Sequence, residues 1–262
     1  MPLTLTREIR FGLHKDASLD APQSSNGFAA NPALVGIAPF LTLSTTISGT
    51  VDPATGMLIN IKLVDKILRD LAVPAIRDAH YARHLTAEQT LAHLWPLLKD
   101  RFQPHRLDQL TLSPSRYLTF SLSDKEPAMV RLSLRFEFSA AHRLHSAALS
   151  EEKNQEVFGR CTNANGHGHN YELEVTLAGT PASSGQLIAI PLLQQIVNQQ
   201  IIEPFDHKHL NLDCPEFRTV NPTVENIAAA LFHRLQPHIP APARLASLRV
   251  WETPKTMCEY SA

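Results

Sequence analysis

Within the stretch Cys161-Thr-Asn-Ala-Asn-Gly-His167-Gly-His169-Asn-Tyr171, one thiol and two imidazoles fall inside nine residues. Core packing does not ask for that density of metal-binding and proton-transferring groups. His167 and His169 are two apart, so at the start of an extended strand both rings point to one side. His142 follows an alternating run that ends at Phe138, and antiparallel pairing of 130–138 with 171–177 brings it alongside them. Three neutral imidazoles with a fourth position open form a catalytic zinc arrangement, because water or substrate takes the free place. An isolated His-x-His is more often a solvated loop; the third His and the nearby Cys reverse that weighting.

Cys161 reads two ways. A free cysteine is commonly a small buried hydrophobe, whereas one beside a dication and an imidazole has a lowered pKa and serves as base or nucleophile. Asp206-His207 puts a carboxylate and an imidazole on the loop after a helix, suited to a proton relay. Glu252, just after an apolar strand, is either a surface acid or an acceptor of two parallel hydrogen bonds from an amidine-like ring edge. Cys214, Cys258, His209 and the scattered His80, His84, His93 and His105 read as structural. Lys208, Arg143 and Arg160 suggest phosphate contacts by charge alone.

The elements that must position these groups follow from periodicity. Leu41, Leu43, Thr45 and Ile47 share one face of a strand, and Gly49–Gly56 is a turn. Asn60 caps a helix carrying Leu63, Val64, Ile67, Leu68 and Leu71, which Pro74 stops; Thr86 with Gln89 forms a capping box for a second helix, with Pro96 inside it as a kink or an early end. Strands are expected near 107–112 and 117–122. After the polar run 123–127, Val130 to Phe138 alternates, Tyr171 to Leu177 alternates, and Pro191 suits the first turn of a helix bearing Leu192, Leu193, Ile196 and Val197. A last helix begins near Thr223, followed by a strand over 245–250.

The two halves repeat one another: Gly49-Thr50 matches Gly179-Thr180, Leu58–Ile61 matches Leu187–Ile190, Thr86-Ala-Glu88 matches Thr223-Val-Glu225, and Leu107–Leu110 matches Leu245–Leu248. The offset is longer than that of solenoid repeats and predicts a tandem duplication of a ββααββ domain. The expected division is 1–122, a linker over 123–129, and 130–262. Ile37 and Pro39 stand where His167 and His169 stand in the second copy, Pro114 falls near the place of Glu252, and only His14 answers to His142. The first copy is therefore expected to lack a metal site.

Lys+Arg 24 against Asp+Glu 25 gives no field to attract nucleic acid or an anionic membrane, and no apolar run spans a bilayer. The N-terminus has no secretory pattern, and three cysteines make a disulfide framework unlikely, so a cytoplasmic protein is expected.

Together these residues resemble the 6-pyruvoyl-tetrahydropterin synthases and the related 6-carboxy-tetrahydropterin synthases of queuosine biosynthesis. FSAAHRL (138–144), FGRCTNANGHGHNYELEV (158–175), EPFDHKHLNLD (203–213), PTVEN (222–226) and VWET (250–253) carry the likeness in the second half; GTVDPATGMLIN (49–60) and the TAEQ helix start carry it in the first. The resemblance implies an α+β T-fold, an antiparallel sheet with helices on one face that closes into barrels on oligomerisation. It implies zinc on His142, His167 and His169, Cys161 as catalytic thiolate, Asp206 and His207 as its relay, and Glu252, Thr223 and Glu225 as substrate contacts.

The implied reaction is a lyase step on 7,8-dihydroneopterin triphosphate that releases triphosphate without a redox cofactor. Five residues between Cys161 and His167 resemble the pyruvoyl-forming branch; the carboxy-forming branch and a non-catalytic pterin-binding or scaffold protein are the alternatives. Where the pyruvoyl branch often has a second Thr, this chain has Val224. If Asp206 and His207 serve a Cys161 on a neighbouring unit, rings of like halves are expected, a homo-oligomer of three chains forming a pseudo-hexamer.

Overall fold

Alternating residues build most of the strands, and the computed structural model describes them within residues 3–19 and 38–262. The chain divides into two compact units. The first runs to Leu132 and adds the loop Gly179–Leu187; the second holds Ser133–Ala178 and Ile188–Ala262.

In the first unit, strand β1 (Leu3–Gly12) pairs antiparallel with β2 (Phe40–Gly49) from Leu3↔Gly49 to Gly12↔Phe40. Helices α1 (Ile61–Ile67), α2 (Val73–Tyr81) and α3 (Ala87–Leu98) follow, then β3 (Arg106–Ser115) and β4 (Leu118–Ser123), in the sheet order β1-β2-β3-β4. β1 is an addition to the expected elements. Its alternation is interrupted by Arg7, which is tied to Asp65 of α1 by two hydrogen bonds of 2.7 Å. Asn60 caps α1 through Lys62 N–H at 2.9 Å, and Thr86 with Gln89 forms the capping box.

Two expectations about proline need correction. Pro74 does not stop the helical run, which widens into a π-turn over Leu68–Ala72 just before it, with Val73 N–H reaching back to the Leu68 carbonyl, and continues as α2. Pro96 does not shorten α3, which runs on to Leu98. The expected linker is also absent: 123–129 is a tight turn at Asp124–Lys125 followed at once by β5 (Glu126–His142). Alternation resumes at Glu126, so this short polar run is a hairpin turn.

The second unit takes the rest of β5, α4 (Glu151–Phe158), β6 (His167–Gly179), α5 (Ile190–Val197), α6 (Glu203–Phe205), β7 (Lys208–His209), α7 (Leu210–Asp213), α8 (Val224–Leu235), β8 (Arg244–Thr253) and β9 (Thr256–Ser261). The sheet order is β5-β6-β8-β9, with β7 parallel to β5 at Ala140↔Lys208 and Ala141↔His209. Ile227, Leu231 and Leu235 of α8 are buried with Leu248 and Val250 of β8, so the helix covers one face of the sheet. A π-turn at Asn198–Ile202 stands as the one at Leu68–Ala72 does, and the β6–β8 register shifts at Thr176/Leu177 as the β2–β3 register shifts at Thr46/Ile47. Among the described residues no helix is long and apolar enough to cross a membrane.

The first turn of α3 grips the 182–187 turn. Thr86 Oγ1 donates to the Gly185 carbonyl at 2.7 Å, and Glu88 Oε1 accepts the buried Leu187 N–H at 3.0 Å. Deleting that acceptor strands a buried donor, which costs about 1–3 kcal/mol. Glu88→Ala is expected to lower the stability of the chain by that amount in urea unfolding, and Glu88→Gln, which keeps an acceptor oxygen, by much less. Equal losses in both would show that the carboxylate charge, and not the hydrogen bond, holds the turn.

Candidate metal centre and active site

Three strand ends and one helix entry meet at the histidines. Ser133 Oγ lies 2.9 Å from Thr176 Oγ1, Arg135 bonds Glu174 at 2.8 Å, and Phe138 stacks on Tyr171 at 5.0 Å. That register carries His142, at the end of β5, to a place beside His167 at the start of β6. His142 is fully buried, and its Nδ1 lies 2.7 Å from the Pro222 carbonyl just before α8. An acceptor there holds the proton on Nδ1 and leaves the Nε2 lone pair free.

His142, His167 and His169 present ring nitrogens that all lie within 4.8 Å of one another, with His142 Nε2 at 3.1 Å from His167 Nε2. Two bare nitrogens at that distance repel unless a proton or a cation sits between them. His169 Nε2 is buried with no hydrogen-bond partner. The donor set therefore fits a metal ion bound through imidazoles, as tetrahedral zinc is. Glu252, on β8, places Oε1 at 3.4 Å from His142 Nε2 and 3.7 Å from His169 Nε2. The carboxylate expected as a ring anchor thus lies against two of the three imidazoles, His142 and His169.

Cys161 sits half-buried in a single turn, Gly159–Thr162, whose carbonyl at Cys161 accepts from Leu144 N–H at 2.8 Å. Without a cation its thiol is shifted upward, first by burial and then by the Glu252 charge. This is opposite to the lowering that a neighbouring dication and imidazole give.

Asp206 and His207 do bond each other, Oδ2 to Nδ1 at 2.7 Å. Asp206 Oδ1 also accepts Ser139 N–H at 2.8 Å, and this backbone bond, with that to His207, holds its pKa below the usual carboxylate range. The His207 side chain is 83% exposed and its φ is +56°, so the pair is presented outward. His207 and His169 line the same open cavity of about 650 Å³, together with Lys208, Asn170 and Asp213. Thr223 caps α8 through Asn226 N–H at 3.4 Å, and Glu225 is exposed on its first turn.

Sequence reasoning passed over several supporting residues. Tyr171, two beyond His169 on the same strand face, is fully buried with its hydroxyl 3.5 Å from His142 Nδ1, and burial pushes its pKa upward. The 167-169-171 alternation was signal enough to find it. His209, read as structural, belongs to β7 and has a buried, unpartnered Nδ1. Asn211 grips Arg143 by both backbone groups at 2.8 and 3.0 Å, Asn221 accepts His145 N–H at 3.0 Å, and buried Asn154 ties down the 146–150 loop. Cys214 is buried, as expected of a structural thiol.

In the first unit, His14 is buried with an unpartnered Nε2, Pro39 and Pro114 are exposed, and Ile37 lies outside the described residues. Among the described residues, the one group of three or more possible metal ligands is that of the second unit.

Comparison with known proteins converges on this unit. A model of the family described as 6-pyruvoyl tetrahydropterin synthase matches residues 131–262. The chain is 39% identical over 131 residues to human 6-pyruvoyl tetrahydrobiopterin synthase, covering 50% of this chain and 90% of the relative. It is 30% identical over 156 residues to 6-carboxy-5,6,7,8-tetrahydropterin synthase of Haemophilus influenzae, covering 50% of this chain and 99% of that one. A solved 6-pyruvoyl tetrahydropterin synthase from Caenorhabditis elegans aligns with 51% of this chain and 96% of its own at 37% identity and a TM-score of 0.49.

Burial lowers His142 to about 4 and also lowers His167, so the metal-free site holds these imidazoles neutral at pH 7. A base whose folded pKa lies below its unfolded value of about 6.5 leaves stability intact above that pH, and stability falls as pH drops from about 6.5 to 4 while only the unfolded chain gains the proton. For His142 the loss is about 3 kcal/mol. Urea unfolding of metal-free protein at pH 7.5 and 4.5 is expected to show it, and His142→Asn to remove most of the difference. An unchanged pH dependence in the variant would refute the assignment.

Proposed function

Because the chain belongs to the 6-pyruvoyl tetrahydropterin synthase family, we propose that its second unit is a zinc-dependent carbon–oxygen lyase that converts 7,8-dihydroneopterin triphosphate to 6-pyruvoyl-tetrahydropterin and triphosphate. The observation that carries this reading is the cluster of three imidazoles beside one thiol and one carboxylate. Zinc on His142, His167 and His169 would act as a Lewis acid toward the substrate's side-chain oxygens and make the adjacent protons more acidic.

The chain's own residues do the rest. His142, held by the Pro222 carbonyl, keeps the ligand set in one orientation. Cys161 is a neutral thiol until a positive neighbour offsets burial and the Glu252 charge, and then serves as the base that moves protons along the side chain. Asp206 orients His207 as a relay, and the exposure of His207 supports service to a Cys161 of another copy, hence a homo-oligomer. Glu252 accepts paired N–H groups from the pterin ring edge. Oxidation of the C1′ carbinol balances the two-electron reduction of the ring, and oxidation of the C2′ carbinol balances conversion of C3′ to a methyl group as triphosphate leaves, so no external redox cofactor enters.

Three further points belong to this reading. The matched π-turns and register shifts, together with the residue matches, support a tandem duplication of one T-fold domain, the first copy being non-catalytic. The free cysteines suit a reducing cytoplasm. The five-residue Cys161–His167 spacing and the higher identity to the human relative favour the pyruvoyl product; identity to the Haemophilus relative along its whole length keeps the carboxy product as the alternative.

Full-length protein loaded with zinc is expected to bind one metal ion per chain by elemental analysis and to release triphosphate from dihydroneopterin triphosphate. Cys161→Ala should keep the metal and lose on the order of 10²–10⁴ in kcat. No triphosphate from zinc-loaded wild type would refute the lyase, and the product's mass separates pyruvoyl from carboxy chemistry.

A further inference from the structure

Glu252 ends an apolar row. Leu248 and Val250, on one face of β8, are fully buried, and two residues further the same face presents a carboxylate. The strand is irregular at this point: Trp251 pairs with Met257 and Thr253 with Thr256, so β8 has one residue more than β9 between those pairs, and that residue is Glu252. A bulge of this kind re-aims a side chain. The Glu252 side chain is only 20% exposed, and among the described residues no N–H or O–H donates a hydrogen bond to it. The nitrogens that face it are His142 Nε2 at 3.4 Å and His169 Nε2 at 3.7 Å.

His142 commits its one proton to the Pro222 carbonyl, so its Nε2 meets Glu252 Oε1 lone pair to lone pair. His167 Nε2 faces that same nitrogen at 3.1 Å, and His169 Nε2 is buried without a hydrogen-bond partner. The spans are those of a coordination shell. Four ligands arranged tetrahedrally at the usual zinc–nitrogen and zinc–oxygen lengths stand about 3.3–3.5 Å apart, whereas a charge-assisted hydrogen bond from nitrogen to carboxylate is about 2.8 Å. The separations of 3.1, 3.4 and 3.7 Å scatter around the first value. Glu252 Oε1 therefore abuts the His142–His169 edge of the imidazole triangle as a ligand does, and not as a hydrogen-bond acceptor does.

We propose that Glu252 is the fourth ligand of this metal centre in the substrate-free protein, and that the pterin ring draws it away. The inference takes its substrate from the lyase reading and its ligand set from the geometry alone. Two parallel N–H groups of an amidine-like ring edge need both carboxylate oxygens, so Glu252 cannot grip the ring while Oε1 stays among the imidazoles. Binding of the ring therefore opens the fourth position as the substrate's side-chain oxygens arrive to take it. Until then the centre is filled on all sides, as a structural site is, and water and stray anions are kept out. One carboxylate thus has two successive partners, where the family resemblance gives it one, and recognition of the ring becomes the condition for access to the metal.

The test is visible absorption of the full chain loaded with cobalt(II), whose bands report coordination, titrated with azide as a small anion that needs an open position. Wild type alone is expected to give tetrahedral bands that azide leaves unchanged. It is expected to bind azide once 6-methylpterin is added, a ring with the amidine edge and no side-chain hydroxyls. Glu252→Gln keeps the shape of the side chain, and thermal unfolding of the metal-free variant checks its fold. It should bind azide with no pterin present and hold zinc at least about tenfold more weakly in chelator competition. The wild-type titrations need no variant. Azide binding to wild type without pterin overturns the proposal, and so does a chain that takes up no cobalt. A sulfur-to-cobalt charge-transfer band in wild type overturns it by putting Cys161 at the fourth position, and exclusion of azide with pterin present overturns the displacement. If the titrations run as expected while zinc-loaded wild type releases no triphosphate, the ligand assignment stands and the lyase reading alone fails. If triphosphate is released while azide binds without pterin, the lyase stands and this inference fails.

Discussion

The hydrogen bond between His142 Nδ1 and the Pro222 carbonyl is the constraint on which the site depends. His142 lies at the last position of β5, and Pro222 lies two residues before α8, so one buried contact ties the sheet to the helix that covers it. The carbonyl selects the tautomer, and the tautomer aims Nε2 at His167 and His169. Burying an imidazole without such an acceptor would cost a polar group its partner. Asn221, one residue earlier, takes His145 N–H, so the same short segment also orders the chain that leaves β5.

Much of this was legible in the residues. The two-residue spacing of His167 and His169 and the alternation of 130–138 and 171–177 were enough to set the three imidazoles together, because strand period and antiparallel register leave little choice. Thr86, Gln89 and Asn60 announced their helices by hydrogen bonds available locally. What was hidden depended on partners far away in the chain. β1 was obscured by an inward arginine whose carboxylate is in α1, and the polar run at 123–127 resembled a linker because nothing local told a hairpin turn from a tether. The position of Glu252 beside the imidazoles depends on the register of β8 against β6, Glu172↔Trp251, which no single strand's pattern reveals.

The two helix starts at Thr86 and Thr223 show the same limit from the other side. Their residue matches were visible as repeats, but the different fates of Glu88 and Glu225 were not: one is buried against a backbone N–H and the other is exposed. Similar local chemistry is therefore buried and paired in one place and left at the surface in another.

The electrostatics of the second unit point one way. Burial keeps His142 and His167 from taking up protons, so these ligands contribute lone pairs and no positive charge. Glu252, 3.4 Å from His142, adds a negative charge that also raises the Cys161 thiol and the Tyr171 phenol. A site with inward lone pairs, a carboxylate and two protonated acids is out of balance by a cation. A dication bound to the three imidazoles removes that imbalance, since it opposes the Glu252 field at the sulfur and favours the thiolate. On the proposed reading, metal affinity and thiol ionisation would be two readings of one field, with Glu252 acting on both. A carboxylate in that position would strengthen the hold on a dication while restraining the thiol, so on the proposed reading the base would be released only where positive charge is present.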